Sequence, residues 1–366
     1  MRKPSVVIVG GGPAGAATAL GLARRGLTPI VLEAERGATF KIGESLPPNA
    51  NPLLELLGIR EKLSDGHTPA HGTRAVWGSP EPFERDFLFS PHGAGWHLDR
   101  LKFEEMLASV AREAGADWRY GWRVVACAGN KSGWSLKVRH SSGEAELEAD
   151  FIVDATGRSR RLARQLGVRQ IQYDRLIGTA VLLKTEDHVT HSDSFTMVEA
   201  VASGWWYSAL LPEGSLMAVY MTDSDLIEHA TLRRLEDWLS LLKEAIVTSR
   251  RIDEGNYSPA TEPRIYPAGS ARLSRITGER WLAVGDSAAA YDPLSSYGIS
   301  AAIGAGYHAG SGIADFLQGD VDALPSYSRM IDRAYARYLM MNYGYYGLER
   351  RWPDEQFWRR RHRPEV

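Results

Sequence analysis

Gly10-Gly11-Gly12-Pro13-Ala14-Gly15 is a G-x-G-x-x-G run between an apolar stretch, Val6-Val7-Ile8-Val9, and a small-residue stretch opening at Ala14. Each glycine has its own task in a dinucleotide site. Gly10 permits the tight turn, Gly12 lets the backbone approach a pyrophosphate, and Gly15 lets a helix lie close against a strand. The helix N-terminus offers amide donors and the positive end of its dipole to the same anion. Glu33, 18 positions beyond Gly15, stands where a carboxylate holds ribose hydroxyls. Alone, the glycine run reads as a turn. With strand, helix and acid around it, the run is a dinucleotide fingerprint, and it does not separate NAD from FAD.

A site of this kind needs buried parallel strands that end in turns. Val6–Val9, Phe151-Ile152-Val153-Asp154 and Trp281-Leu282-Ala283-Val284 are continuous apolar runs, as strands covered on both faces must be. Each closes on a Gly-containing turn, and ligands of doubly wound sheets lie outside such strand ends. Thr28 to Glu33 reads as the second strand, after a helix from Ala14 to Leu27. Helical patterns follow over Phe103–Ala114, Leu232–Val247, from near Gly298, and over Tyr327 to about Tyr346. Between Trp118 and Ala149 short strands alternate with turn signals at Gly129-Asn130, Lys131-Ser132-Gly133 and Ser142-Gly143. Ile177 to Thr222 is again β-rich. No linker, repeat or low-complexity tract divides the chain, so the domains are expected to interleave.

The 366 residues suit two closely packed domains. Lys and Arg number 43 against 45 Asp and Glu, a net charge of -2, so neither nucleic acid nor an anionic membrane is expected as the main partner. Cys127 is the one cysteine, which excludes an intrachain disulfide and argues against a cysteine-based metal site; no metal is expected. No apolar run spans a membrane, and no signal-peptide pattern follows Met1, so the expected location is cytoplasmic. The 11 Trp, 15 Tyr and 9 Phe imply either a large aromatic pocket or a well-filled core.

Asp154-Ala155-Thr156-Gly157-Arg158-Ser159 and Gly285-Asp286-Ser287-Ala288 resemble the second and third nucleotide-contacting segments of FAD-dependent oxygenases of the para-hydroxybenzoate hydroxylase type. That resemblance implies FAD, with Asp286 at its ribityl and pyrophosphate region and Arg100 reaching the same part. Asp292-Pro293-Leu294-Ser295-Ser296-Tyr297-Gly298-Ile299 is similar to the family's Pro-loop, whose backbone amides face the flavin and can stabilise its anionic reduced ring. Pro293 and Gly298 are the cofactor-binding candidates there. Read singly, Asp154 and Asp286 are helix caps, Pro293 a helix start and Arg100 a surface residue.

Ile42-Gly43-Glu44-Ser45-Leu46-Pro47-Pro48 resembles the Gly-Glu-Ser segment of flavin-dependent tryptophan halogenases. Those enzymes carry a lysine beyond it and a W-x-W-x-I-P motif. Thr68 to Gly78 holds no lysine, and Gly204-Trp205-Trp206-Tyr207-Ser208-Ala209-Leu210-Leu211-Pro212 departs from the motif, so both features speak against halogenation. The whole chain is similar to LodB/GoxB-like and QhpG-like flavoproteins of tryptophylquinone maturation, on His71-Gly72, Trp77 to Pro82, Gly204 to Pro212, Asp292 to Gly298, and Glu349 to Arg361.

The resemblance implies an α/β, glutathione-reductase-like FAD domain over 1–70, 97–165 and 265–322. An inserted β-rich substrate domain is expected over 71–96 and 166–264, with C-terminal helices over 323–366. The expected function is an FAD-dependent monooxygenase that hydroxylates an aromatic substrate, a protein-bound tryptophan in quinone cofactor maturation, with a reductase as a further partner. The alternatives are a flavin-dependent halogenase, a flavin reductase of isoprenoid double bonds, and a non-catalytic FAD-binding maturation partner. His71 and Tyr297 are the catalytic candidates, although a histidine in a turn is as readily structural. Trp205 and Tyr207 are candidates for the substrate pocket, with core packing as the plainer reading. Arg359 to Arg363 is either a solvated helix end or a dock for an acidic protein.

Overall fold

Residues 4–37, 41–130, 132–186 and 194–362 are described by a computed structural model. Val6–Val9, Ile30–Glu33, Asp117–Tyr120, Phe151–Asp154 and Trp281–Ala283 form parallel neighbours in a six-stranded sheet, with Thr277–Gly278 antiparallel at one edge. Val6–Val9 lies centrally, between Ile30–Glu33 and Phe151–Asp154. Its four residues and those of Phe151–Asp154 are all buried, which is why both read as unbroken apolar runs.

The Pro13–Ala23 helix packs against the Gly298–Leu317 helix through small residues. A Cβ on Gly306 would lie 2.3 Å from the Ala14 carbonyl oxygen, and one on Gly310 would lie 2.6 Å from that of Thr18. The two backbones approach because nothing larger stands between them. The strands Arg123–Asn130, Gly133–His140 and Gly143–Ala149 make a three-stranded antiparallel meander where turn signals place it; Lys131 lies outside the described residues.

An eight-stranded sheet forms the second layer. Along it run Ser258–Pro259, Leu176–Lys184, Leu216–Asp223, Gly204–Leu210, Phe195–Val201, Gly72–Val76 and Phe83–Asp86, with Arg264–Pro267 also on Leu176–Lys184. All described pairings in it are antiparallel except Phe195–Val201 with Gly72–Val76.

The single helix expected over Leu232–Val247 is corrected to two, Leu235–Leu242 and Ile246–Glu254. Ala245 leaves the helical region, and Glu199 accepts hydrogen bonds from the amides of Val247 and Thr248. A carboxylate from a distant strand thus caps the second helix and fixes the break. Ala323–Leu348 and Gln356–His362 end the described chain. Among the described residues no helix is long and apolar enough to cross a membrane.

Candidate functional site

The three Gly-containing turns meet at the carboxyl edge of the six-stranded sheet. Gly10 has φ +110°, and a Cβ there would sit 2.3 Å from the carbonyl oxygen of Ala155. On Gly15 it would sit 2.0 Å from the Gly10 carbonyl oxygen. Gly10 and Gly15 therefore serve turn and packing, while a Cβ on Gly12 would meet nothing within 4 Å. Gly12 faces open space, as a backbone that must approach a ligand does.

Glu33 accepts from the amides of Gly11 at 2.7 Å and Glu35 at 2.9 Å. A cleft beside it is lined by Gly11, Lys41, Glu104, Trp118 and Tyr120. The Trp118 indole N–H is buried there with no partner among the described residues.

Asp154 binds the second turn to the third. Its carboxylate accepts from the Thr156 hydroxyl at 2.6 Å, the Ala163 amide at 2.8 Å and the Ser287 hydroxyl at 3.1 Å. It is a cap and a cross-tie together. Arg158 donates to the carbonyls of Gly269 and Tyr291 and lies 3.3 Å from the half-exposed Asp286 carboxylate. Arg100 donates to the carbonyls of Ile42 at 2.6 Å and Gly43 at 3.1 Å and pairs with Glu104 at 2.6 Å; its Nε is buried with no partner among the described residues. The surface reading of Arg100 is corrected: one guanidinium organises the entry to the Gly-Glu-Ser segment.

Asp292 caps the turn Pro293–Ser295, accepting from the Leu294 amide at 2.9 Å, so Pro293 does open a short helix. A Cβ on Gly298, the first residue of the next helix, would meet nothing within 4 Å. Tyr297 is half-buried, its hydroxyl 3.7 Å from the Met341 sulfur.

A side-chain chain missing from the sequence reading joins Ser45 and His97, paired on a small three-stranded sheet, to Thr196 and Tyr207 of the eight-stranded sheet. Glu44 is 2% exposed. The Tyr207 hydroxyl stands 3.2 Å from Glu44 Oε2 and 3.2 Å from Ser45 Oγ. Ser45 Oγ lies 2.6 Å from Thr196 Oγ1, which lies 3.0 Å from Nε2 of the buried His97. Burial raises the Glu44 carboxyl above its ordinary range, opposed in smaller measure by backbone hydrogen bonding and by Arg100. Burial, with the Glu44 charge beside it, also pushes Tyr207 well up. Glu44 Oε1 is buried with no hydrogen-bond partner among the described residues. Only the buried-acid character of Glu44 inside the Gly-Glu-Ser run could have signalled this; Thr196 and His97 come from distant strands.

Trp205 is corrected as a pocket residue. It is wholly buried, its indole donates to the Tyr346 hydroxyl at 3.0 Å, and it packs in a core with Phe357 and Trp358. Alternation along the strand sends Trp206 to the other face, against Trp238. Tyr207 is brought to the polar chain, while His71 is exposed, its Nδ1 2.8 Å from Ser194 Oγ. Arg361 is neither solvated nor free to dock a partner: it is buried and paired with Asp223 at 2.7 Å, and Arg360 pairs with Asp223 and Asp225. Arg359 is exposed, and Arg363 lies outside the described residues.

The open face at Gly12, the strand-end turns and the unpaired buried donors of Trp118 and Arg100 fit an elongated anionic dinucleotide. Residues 3–340 match the family model described as FAD binding domain. This chain is an FAD-binding flavoprotein. It is 30% identical to the putative FAD-dependent oxidoreductase LodB of Marinomonas mediterranea (strain ATCC 700492 / JCM 21426 / NBRC 103028 / MMB-1), over 99% of this chain and 98% of that one. It is 26% identical to a tryptophan 2-halogenase of Chondromyces crocatus, over 98% of this chain and 71% of that one.

Among solved structures, the flavin-dependent halogenase CmlS superposes with a TM-score of 0.87 at 24% identity, covering 100% of this chain and 68% of that one. The peptidyl tryptophan dihydroxylase QhpG gives 0.82 at 24% identity, covering 98% and 79%. The chain is an FAD-dependent oxidoreductase of the family that holds LodB, with the para-hydroxybenzoate hydroxylase fold that the halogenase CmlS shares.

The monooxygenase expectation is overturned. Flavin-dependent halogenases, a pyrrole brominase and a pyrrole chlorinase among them, recur along the relatives of this chain, and halogenases recur among the similar structures. The lysine argument concerned one side chain in one segment, whereas this likeness runs along nearly the whole molecule.

Proposed function

We propose that this flavoprotein is a flavin-dependent halogenase acting on an aromatic ring, with a tryptophan-containing polypeptide as its substrate class. The observation that carries the reading is the likeness to a tryptophan 2-halogenase over 98% of the chain. The polypeptide substrate is supported by the likeness to the peptidyl tryptophan dihydroxylase QhpG. In this reading segments 1–70, 97–165 and 265–322 hold the cofactor, 71–96 and 166–264 present the substrate, and 323–366 closes over both.

Gly10, Gly12 and Gly15 shape the pyrophosphate turn, Glu33 takes the ribose, Asp286 and Arg100 flank the polar chain of the cofactor, and the Pro293–Gly298 amides face the ring. Bound FAD, once reduced by a partner reductase, supplies an electrophilic halogen from O2 and halide. Thr68 to Gly78 holds no lysine, so hypohalous acid itself is the electrophile delivered to the ring. Tyr207 orients the substrate with its hydroxyl. The Glu44 carboxylate takes the ring proton, and Tyr207, Ser45, Thr196 and His97 pass it away through contacts of 2.6 to 3.2 Å. Tyr297 stands next to the Pro293–Gly298 amides, and the exposed His71 orients the incoming polypeptide.

Holoprotein, a flavin reductase, NADH, O2, bromide and a tryptophan-containing polypeptide are combined, and the product is read by mass spectrometry. A bromine isotope pattern on tryptophan supports the reading. Oxygen addition without halogen, or complex formation with no mass change while the flavin turns over, overturns it.

A further inference from the structure

The Ala323–Leu348 helix aims a stripe of tyrosines at the segment that leads into the Asp292–Gly298 loop. Tyr327 donates to the Ala283 carbonyl at 3.0 Å and Tyr335 to that of Ala290 at 3.2 Å. The Tyr338 hydroxyl accepts from the Asp292 amide at 2.8 Å, and Tyr346 donates to Asp292 Oδ2 at 2.7 Å. The loop is thus gripped twice at Asp292, by backbone and by side chain, while the same carboxylate caps Leu294. A buried carboxylate with both oxygens engaged has one geometry, and its cap passes that geometry to the loop amides.

Tyr346 is itself fixed from two sides. Trp205 of the eight-stranded sheet donates to its hydroxyl at 3.0 Å. Arg361 lies 4.8 Å from its ring centroid and is held by Asp223, at the end of the Leu216–Asp223 strand. Asp223, Arg361, Tyr346 and Asp292 therefore join the substrate-side sheet to the loop through the C-terminal helices, every one of them buried.

We propose that Tyr346, held by Trp205 and Arg361, is a positioning residue that sets the Asp292–Gly298 loop against the flavin and so tunes how strongly the reduced cofactor is held. The inference needs only FAD binding, and it stands or falls independently of halogenation. Loosening the loop weakens amide contact with the negative charge of the reduced ring, so the reduced form loses affinity relative to the oxidised form.

The test measures FAD affinity and the two-electron midpoint potential of holoprotein carrying Tyr346→Phe, with Tyr327→Phe as the control. Both changes delete one buried hydroxyl from the same helix, but Tyr327 bonds the strand end at Ala283 and not the loop. For Tyr346→Phe the ratio of reduced to oxidised affinity falls about ten-fold, a potential lower by about 30 mV; Tyr327→Phe leaves the potential unchanged. Equal shifts in both variants, or no shift in Tyr346→Phe, overturn the proposal. Should Tyr346→Phe yield no folded protein, Trp205→Phe removes the donor to Tyr346 while keeping an aromatic ring in that core, at the cost of part of the indole's volume. A smaller shift of the same sign then supports the proposal, and an unmoved potential overturns it.

Discussion

The edge of the six-stranded sheet and the clasp beneath the eight-stranded sheet are built from different parts of the amino acid. At the first, Gly10 and Gly15 work by lacking side chains, which lets backbone lie against backbone, while Gly12 and Gly298 leave the backbone open. At the second, Glu44, Tyr207, Asp292, Tyr346 and Arg361 work through side-chain atoms gathered from segments far apart. Backbone chemistry is written in short runs of neighbouring residues. Side-chain chemistry depends on which distant groups the fold brings within about 3 Å.

A Cβ at Gly15 gives the largest break of this contrast. It would stand 2.0 Å from the Gly10 carbonyl oxygen, so helix and turn must separate. Gly15→Ala is expected to lower stability by about 3 kcal/mol or more and to abolish FAD loading, read as flavin absorbance per protein. A variant that folds and retains its flavin would show that the close approach is dispensable.

Next comes Arg361→Ala, which leaves the Asp223 carboxylate in the interior with part of its pairing gone. A loss on the order of 3–5 kcal/mol follows from breaking a buried ion pair, against less than about 0.5 kcal/mol for the exposed Arg359→Ala. Urea midpoints of the two variants decide whether the basic terminus belongs to the core or to the surface.

Asp292 sharpens the comparison through pH. Burial, aided by the charge of Asp174, raises its carboxyl from 3.8 to about 6. The folded chain keeps this proton to higher pH than the unfolded chain, so this contribution is fully present below 3.8 and is lost as pH rises through about 6. The loss is on the order of 1–3 kcal/mol. Asp292→Asn should flatten that slope, whatever constant cost its altered hydrogen bonds impose. Equal slopes in both proteins, measured by urea unfolding at pH 4.5 and pH 7.5, would place the proton elsewhere.

The smallest effect is expected at His71. It is exposed, and its Nδ1 lies 2.8 Å from Ser194 Oγ. His71→Ala should change stability by less than about 1 kcal/mol and leave FAD affinity unaltered, measured by flavin fluorescence. A large loss of flavin would move His71 into the cofactor site.

Much of the cofactor side was legible because its signals are local. Val6–Val9 and Phe151–Asp154 stand as expected, since continuous apolar runs of four have few uses other than strands covered on both faces. The break at Ala245 was not legible: its cause is Glu199, 46 residues earlier, capping the second helix. Trp205 and Tyr207 looked alike on one strand, and packing separated them, sending one to Tyr346 and the other to Glu44.

The sequence by itself determined the parallel sheet, the glycine turn and the three strand ends, because each rests on neighbouring residues whose backbone preferences and apolar pattern agree. FAD rather than NAD came from the resemblance of the Asp154–Ser159 and Gly285–Ala288 segments to a known family. Only the tertiary structure decided that Arg361 is buried, that Glu44 heads a polar chain ending at His97, and that Tyr346 grips Asp292. Those facts depend on contacts across 54 to 163 residues of chain, where burial and the low polarity of the interior set which charges and hydroxyls must find one another.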